Sequence, residues 1–228
     1  MHEQQTVFVV DDDEAARESL RWLLESVGHK VRCYASAQDF MAACDRSAPG
    51  CLVLDVRMPG MSGLELQEQL KAQNWCLPVI IVTGHGDIPM AVRAMRGGAV
   101  DFLQKPYNDQ TLLDRIQQAL EICRQKRREH LQLARIQAAY RQLTPREAEV
   151  AAMVVTGKAN KVIAIDLGLS HKTVESHRAN VMEKMNAASL SDLVRMFVRL
   201  GLETDEDGTR DARPPALAAR ARTSPVIR

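Results

Sequence analysis

Residues 1–123 predict an α/β domain built on a doubly wound, five-stranded parallel sheet, and residues 143–202 predict a small all-α domain of four helices. Three observations carry this reading. Continuous apolar runs alternate five times with helix-length stretches, as expected of strands covered by crossover helices on both faces. From residue 143 onward, cap residues and glycines divide the chain into short helices instead. The net charge of +1 conceals an asymmetry: −5 over 1–120, +6 over 121–202 and zero over 203–228. An acidic segment followed by a basic one marks two domains with different partners.

The expected strands are 7–10, 31–34, 51–54, 79–82 and 99–103. Between and after them lie helical stretches at about 14–27, 36–45, 62–72, 87–97 and 108–123. In the last of these, Leu112, Ile116, Leu120 and Cys123 recur every three or four residues, an apolar helical stripe. Residues 124–142 are rich in Arg, Lys and Gln without Gly or Pro, and read as a helical linker. Thr144 then caps a new helix, with Pro145 at its first position and Glu147 three residues after the cap; Gly157 closes it. A short second helix, about 161–167, ends at Gly168; Ser170 caps a third running to about Met185; Ser189 starts a fourth ending at Gly201. The tight turn Gly168-Leu169-Ser170 makes helices two and three a helix-turn-helix. Residues 203–228, with Asp, Arg, Pro and Ala and no periodicity, are expected to be a disordered tail.

Composition narrows the classes. Hydrophobic residues at 46% and charged residues at 26% exclude wholesale disorder. No apolar run reaches the roughly 18 residues of a membrane-spanning helix, and the N-terminus lacks a secretory layout, so a soluble, cytoplasmic protein with no membrane partner is expected. Five scattered cysteines without a C-x-x-C pair argue against a zinc site or disulfide framework and for buried thiols.

Polar residues gather where the strands end. Asp11 and Asp12 follow the first strand, Asp55 the third, Thr83 the fourth, and Lys105 the fifth. Parallel strands share one C-terminal edge, and ligands bind there. Three carboxylates, a hydroxyl and an ammonium thus converge. Clustered carboxylates repel unless a cation neutralises them, and hard oxygen donors suit Mg2+ and phosphate chemistry. Asp13 and Glu14 read as helix-start charges, His85 as a solvated loop residue, and Trp22, Met90 and Met95 as packing residues.

VVDDDE, LDVRMPG, TGHGD and DFLQKP occur in order on these elements, and residues 6–123 resemble a response-regulator receiver domain. The resemblance implies a sheet in the order 2-1-3-4-5 and a Mg2+ cofactor. It makes Asp55 the aspartate that accepts a phosphoryl group from a sensor histidine kinase. Asp12 matches the direct metal ligand, Asp11 the ligand acting through water, and Arg57 the position lending a backbone carbonyl. Thr83 matches the hydroxyl that bonds the phosphoryl oxygen, Lys105 the ammonium that pairs with it, and Phe102 the aromatic that changes rotamer. The same pattern implies a cis Lys105–Pro106 peptide.

LTPREAEV, a block with Asn160, Lys161 and Ile163, and GLSHKTVESHRANVMEKM make residues 143–200 similar to the LuxR-type DNA-binding domain of the FixJ/NarL class. In that motif the second helix of the turn enters the major groove of promoter DNA. Val174, Val181 and Met185 share the core side of this helix, with His177 and Arg178 nearby; Lys172, Glu175, Ser176, Ala179 and Asn180 lie opposite and are the base-reading candidates. Lys158, Lys161, Thr173 and Lys184 are expected to contact phosphates, and Arg178 completes the candidate DNA contacts. The resemblance implies a phosphorylation-controlled transcription regulator that dimerises on activation, with RNA polymerase as a further partner. It is not an enzyme beyond catalysing its own phosphorylation and dephosphorylation. Two other readings stand beside it: a phosphorylation-independent DNA-binding regulator with a scaffold receiver, and a small Mg2+-dependent phosphotransferase or phosphatase.

Overall fold

The computed structural model describes residues 5–84 and 86–202; the tail of 203–228 and His85 lie outside the described residues. Two units form, Met1–Arg128 and Glu129–Arg228.

The first unit is the expected doubly wound sheet. Its strands are β1 (Thr6–Val10), β2 (Lys30–Tyr34), β3 (Gly50–Leu54), β4 (Val79–Thr83) and β5 (Asp101–Gln104), all parallel, in the order β2-β1-β3-β4-β5. Its helices are α1 (Glu14–Ser26), α2 (Ala37–Ala43), α3 (Gly63–Ala72), α4 (Ile88–Gly97) and the part of α5 (Asp109–Tyr140) up to Arg128. β1, β3 and β4 are buried along their whole length, which is why their runs are apolar without alternation. The sheet separates two cores. Phe8, Phe40, Leu52, Leu54, Leu66 and Ile81 fill one face; Val7, Val9, Leu24, Val53, Ile80, Leu112 and Ile116 fill the other.

The helix starts follow local chemistry. Asp13, read as a helix-start charge, caps α1 by accepting from the amides of Ala15 and Ala16. Ser62 and Glu65 form a reciprocal capping box on α3. Met90 packs against the first core, but Trp22 is 71% exposed and Met95 47% exposed, contrary to their reading as packing residues. The reason is angular: α1 buries Leu20 and Leu24, one turn apart, and Trp22 lies on the opposite side of the helix. Cys44, Cys51 and Cys123 are buried, Cys33 is half-buried and Cys76 is exposed.

The second unit holds α6 (Pro145–Val155), α7 (Asn160–Leu167), α8 (His171–Lys184) and α9 (Leu190–Arg199). Val150, Val154, Ile163, Val174, Val181, Met185, Leu193 and Phe197 form its core. Gly168 has a φ of 64°, a left-handed value that a residue with a Cβ adopts only with strain, and it lets α7 stop and turn into α8. The stretch 124–142, expected as a helical linker, continues α5 as helix through Tyr140. Tyr140 is a buried member of the second core, with Leu133, Ile136 and Ala139 packed against it. The last two turns of that stretch are therefore structural parts of the helical unit, because their apolar residues return at helical spacing on one side.

Candidate functional site

The register of the sheet builds the first site. Val10 pairs with Leu54, so the next residues, Asp11 and Asp55, emerge side by side; the amide of Asp55 donates to the Val10 carbonyl at 2.8 Å. Thr83 pairs with Gln104, and the amide of Lys105 donates to the Thr83 carbonyl at 2.8 Å. Backbone pairing alone thus brings Asp11, Asp55, Thr83 and Lys105 to one rim.

Their side chains then engage. Lys105 Nζ donates to Asp11 Oδ2 at 2.6 Å and to Asp55 Oδ1 at 3.4 Å. Asp55 Oδ2 accepts from the Arg57 amide at 2.6 Å, and Asp11 Oδ1 from the Asp13 amide at 3.0 Å. Asp11, Asp55 and Thr83 are buried, while Asp12 and Arg57 are exposed at the mouth. Burial raises the Asp55 carboxyl above the usual carboxylate range; Lys105 opposes that rise and the neighbouring Asp11 adds to it. The Lys105 ammonium is held above its ordinary value, because its bond to Asp11 and the charges of Asp11 and Asp55 outweigh its own burial. Among the described residues, no group of three or more Asp, Glu, His or Cys side chains closes into a metal cage. A hard ion that keeps several waters needs only one or two carboxylates, so a partial acidic cluster at an open mouth fits one.

Two glycines support the rim and were not singled out in the sequence. Gly63, at the start of α3, lies where a Cβ would collide with the Asp55 carbonyl oxygen. A Cβ at Gly86 would lie 2.9 Å from the half-buried ring of Phe102 and 3.5 Å from the Thr83 methyl. Their only sequence signal is a glycine one or three residues beyond a cap or strand end. The peptide Lys105–Pro106 is cis.

The second site is the outer face of α8. Ser170 caps it, accepting from the Thr173 amide at 3.1 Å. Lys172, Glu175, Ser176, Ala179 and Asn180 are exposed on one side, Thr173 and His177 are half-buried, and Val174 and Val181 face the core. Lys158 and Lys161 are exposed near the start of α7, and Lys158 pairs with Asp166 at 2.9 Å.

Two residues expected at the DNA face are also engaged inside the unit. Arg178 Nη1 donates to Asn160 Oδ1 at 3.0 Å, tying α8 to α7. Lys184 Nζ donates to Glu147 Oε2 at 2.6 Å, and Glu147 is buried. Glu147 also accepts from the Thr144 amide, so the acidic member of a capping box doubles as the counter-ion of a lysine 37 residues away. These bonds, with that of Lys184 foremost, hold the carboxyl down at about 2. Spacing along one helix cannot reveal a partner on another.

Residues 7–117 match the response regulator receiver domain, and residues 141–197 match the bacterial regulatory proteins of the luxR family. The chain is 47% identical over 199 residues to nodulation protein W of Bradyrhizobium diazoefficiens, covering 87% of this chain and 88% of that one. It is 46% identical to the transcriptional regulatory protein FixJ of Azorhizobium caulinodans, over 92% of this chain and 99% of the relative. Among solved structures it is similar to response regulator StyR, with 45% identity and a TM-score of 0.80 over 86% of this chain and 99% of that one. Strand rim, helix-turn-helix and relatives agree: the chain belongs to the two-component response regulators of the FixJ class, in which a receiver domain is joined to a LuxR-type DNA-binding domain that regulates transcription.

Proposed function

We propose that Asp55 is the phosphoacceptor of this regulator and that its phosphorylation, in a Mg2+-dependent step, governs dimerisation and promoter binding. The observation that carries the reading is the Lys105 ammonium placed between two buried carboxylates at the shared strand edge. A lone buried carboxylate would protonate; with a cation beside it, it stays a nucleophile.

The carboxylates of Asp12 and Asp55 and the Arg57 carbonyl would hold the metal, with Asp11 acting through water. When bound, Mg2+ would supply positive charge to offset that of the incoming phosphoryl group. The chain's own residues do the rest. An Asp55 carboxylate oxygen attacks the phosphorus of a phosphohistidine on the sensor kinase. The new P–O bond forms as the P–N bond breaks, and the imidazole leaves with the electron pair. Lys105 moves its ammonium from Asp11 toward the transferred group, and the Thr83 hydroxyl donates to another phosphoryl oxygen. Phe102, half-buried against Gly86, supplies the aromatic whose rotamer follows Thr83. That movement biases the surface of α4, β5 and α5 toward a two-fold dimer, and a two-fold dimer matches paired half-sites on DNA.

On DNA, α8 presents Lys172, Glu175, Ser176, Ala179 and Asn180 to base edges, while Lys158, Lys161 and Thr173 reach phosphates. RNA polymerase is then the downstream partner. The protein works as a switch and not as a turnover enzyme. Among the described residues no helix is long and apolar enough to cross a membrane, and a cytoplasmic site of action follows from that reading.

The test is Asp55→Asn, which keeps size and removes the nucleophilic charge. Incubated with a small acyl phosphate and Mg2+, the native protein acquires an acid-labile phosphoryl group and the variant does not. Equal labelling of the variant would refute the assignment.

A further inference from the structure

We infer that Arg17 is a positioning residue for the acidic pair: its guanidinium anchors the peptide that joins Asp11 to Asp12, and so sets the two carboxylates for the cation. The inference rests on the Mg2+ reading above and deepens it.

Asp11 stands one residue beyond the last paired position of β1, so its carbonyl has left the sheet ladder. Arg17 Nη1, reaching back from the second turn of α1, donates to that carbonyl at 2.7 Å. The amide of Asp11 donates to the Tyr34 carbonyl at 3.3 Å, Oδ1 accepts from Asp13 and Oδ2 from Lys105. Both backbone polar groups and both carboxylate oxygens of Asp11 are thus engaged, and Arg17 supplies the bond that reaches forward to Asp12. A peptide unit is planar, so fixing the Asp11 carbonyl oxygen also fixes the Cα of Asp12 in the same plane. Asp12 is exposed at the mouth. Arg17 is half-buried, and its hydrogen bond falls on the loop backbone and not on an acidic side chain. It acts through the loop.

The sign of the effect separates positioning from electrostatics. Removing a positive charge from beside an acidic cluster should, by Coulomb's law alone, strengthen cation binding. Loss of positioning should weaken it, and partners behind a metal ligand are typically worth about tenfold or more in affinity.

The experiment is titration calorimetry of the full chain with MgCl2, comparing native protein with Arg17→Met, Arg17→Lys and Asp12→Asn, each checked for native thermal stability. Arg17→Met keeps the apolar stem and loses the donor; about tenfold weaker Mg2+ binding is expected. Arg17→Lys keeps a donor and should recover part of that loss. Mg2+ binding of Arg17→Met equal to or tighter than native overturns the inference, as does an equal loss in Arg17→Lys accompanied by lowered stability. Asp12→Asn distinguishes the two layers: if it abolishes binding while Arg17→Met binds Mg2+ as the native protein does, only the Arg17 inference fails. If Asp12→Asn binds Mg2+ as the native protein does, the metal reading beneath it fails as well.

Discussion

Lys184→Met should destabilise the helical unit while leaving the receiver intact, because it strands Glu147. That carboxylate is buried, and Lys184 Nζ lies 2.6 Å from it. Its pKa falls from 4.5 to about 2 in the folded chain. At about 1.4 kcal/mol per pH unit, the gap corresponds to roughly 3 kcal/mol at neutral pH. Lys184 is one-third exposed, so solvent screening lowers the share of the pair to about 2 kcal/mol. The direction with pH follows from linkage. A depressed carboxyl stabilises above its unfolded value of 4.5, and that stabilisation is lost as pH falls from there toward 2. Both tryptophans, Trp22 and Trp75, lie in the first unit, so unfolding of the helical unit shows in far-UV circular dichroism and not in tryptophan emission. Urea titrations of the full chain at neutral pH should show the dichroism transition of Lys184→Met moved to lower urea, with the emission transition unmoved. Glu147→Gln keeps an acceptor for the Thr144 amide and lacks the charge, so its dichroism midpoint should fall less between pH 4.5 and 3 than the native midpoint does. A Lys184→Met loss below about 0.5 kcal/mol at neutral pH, or an unchanged acid response in Glu147→Gln, would refute the reasoning.

Lys105→Met removes the charge that opposes the upward shift of Asp55, so the acid limb of acyl-phosphate labelling should move to higher pH, and the rate at neutral pH should fall by about a hundredfold. A pH–rate profile checks both. Gly63→Ala forces a Cβ against the Asp55 carbonyl, which only a backbone shift can relieve; a loss of about 1–3 kcal/mol and slower labelling are expected, measured by urea unfolding and phosphoryl incorporation. Lys161→Ala should weaken DNA binding about equally across sequences and reduce the salt slope by about 1, whereas Arg178→Ala should loosen the α7–α8 pair through loss of the Asn160 bond. DNA titrations at several salt concentrations, beside melting curves, separate the two.

Much of this molecule was readable from local chemistry. β1, β3 and β4 are apolar at every position because helices cover both faces, and a chain must announce that in its composition. Ser62, Thr144, Ser170 and Ser189 accept amides within three residues, so their caps are written in adjacent letters. The meeting of Asp11, Asp55, Thr83 and Lys105 was readable too, since parallel strands have only one C-terminal edge. The relations that depend on where a side chain ends were not. Lys184 and Arg178 look like any basic residues of a DNA-facing helix, and only folding turns them toward Glu147 and Asn160. Trp22 looks like a core residue, and only the rotation of α1 exposes it.

Sequence alone therefore determined the two architectures and the set of groups at the strand rim, because periodicity, capping and strand polarity are properties of neighbouring residues. Tertiary structure decided which of those groups touch. It put the Lys105 ammonium closer to Asp11 than to Asp55, set Gly63 against the Asp55 backbone, bonded Arg17 to the Asp11 carbonyl and drew Tyr140 into the helical core. The physical reason is reach: a charged side chain several ångströms long has many partners within its span, and the packing of distant segments selects one.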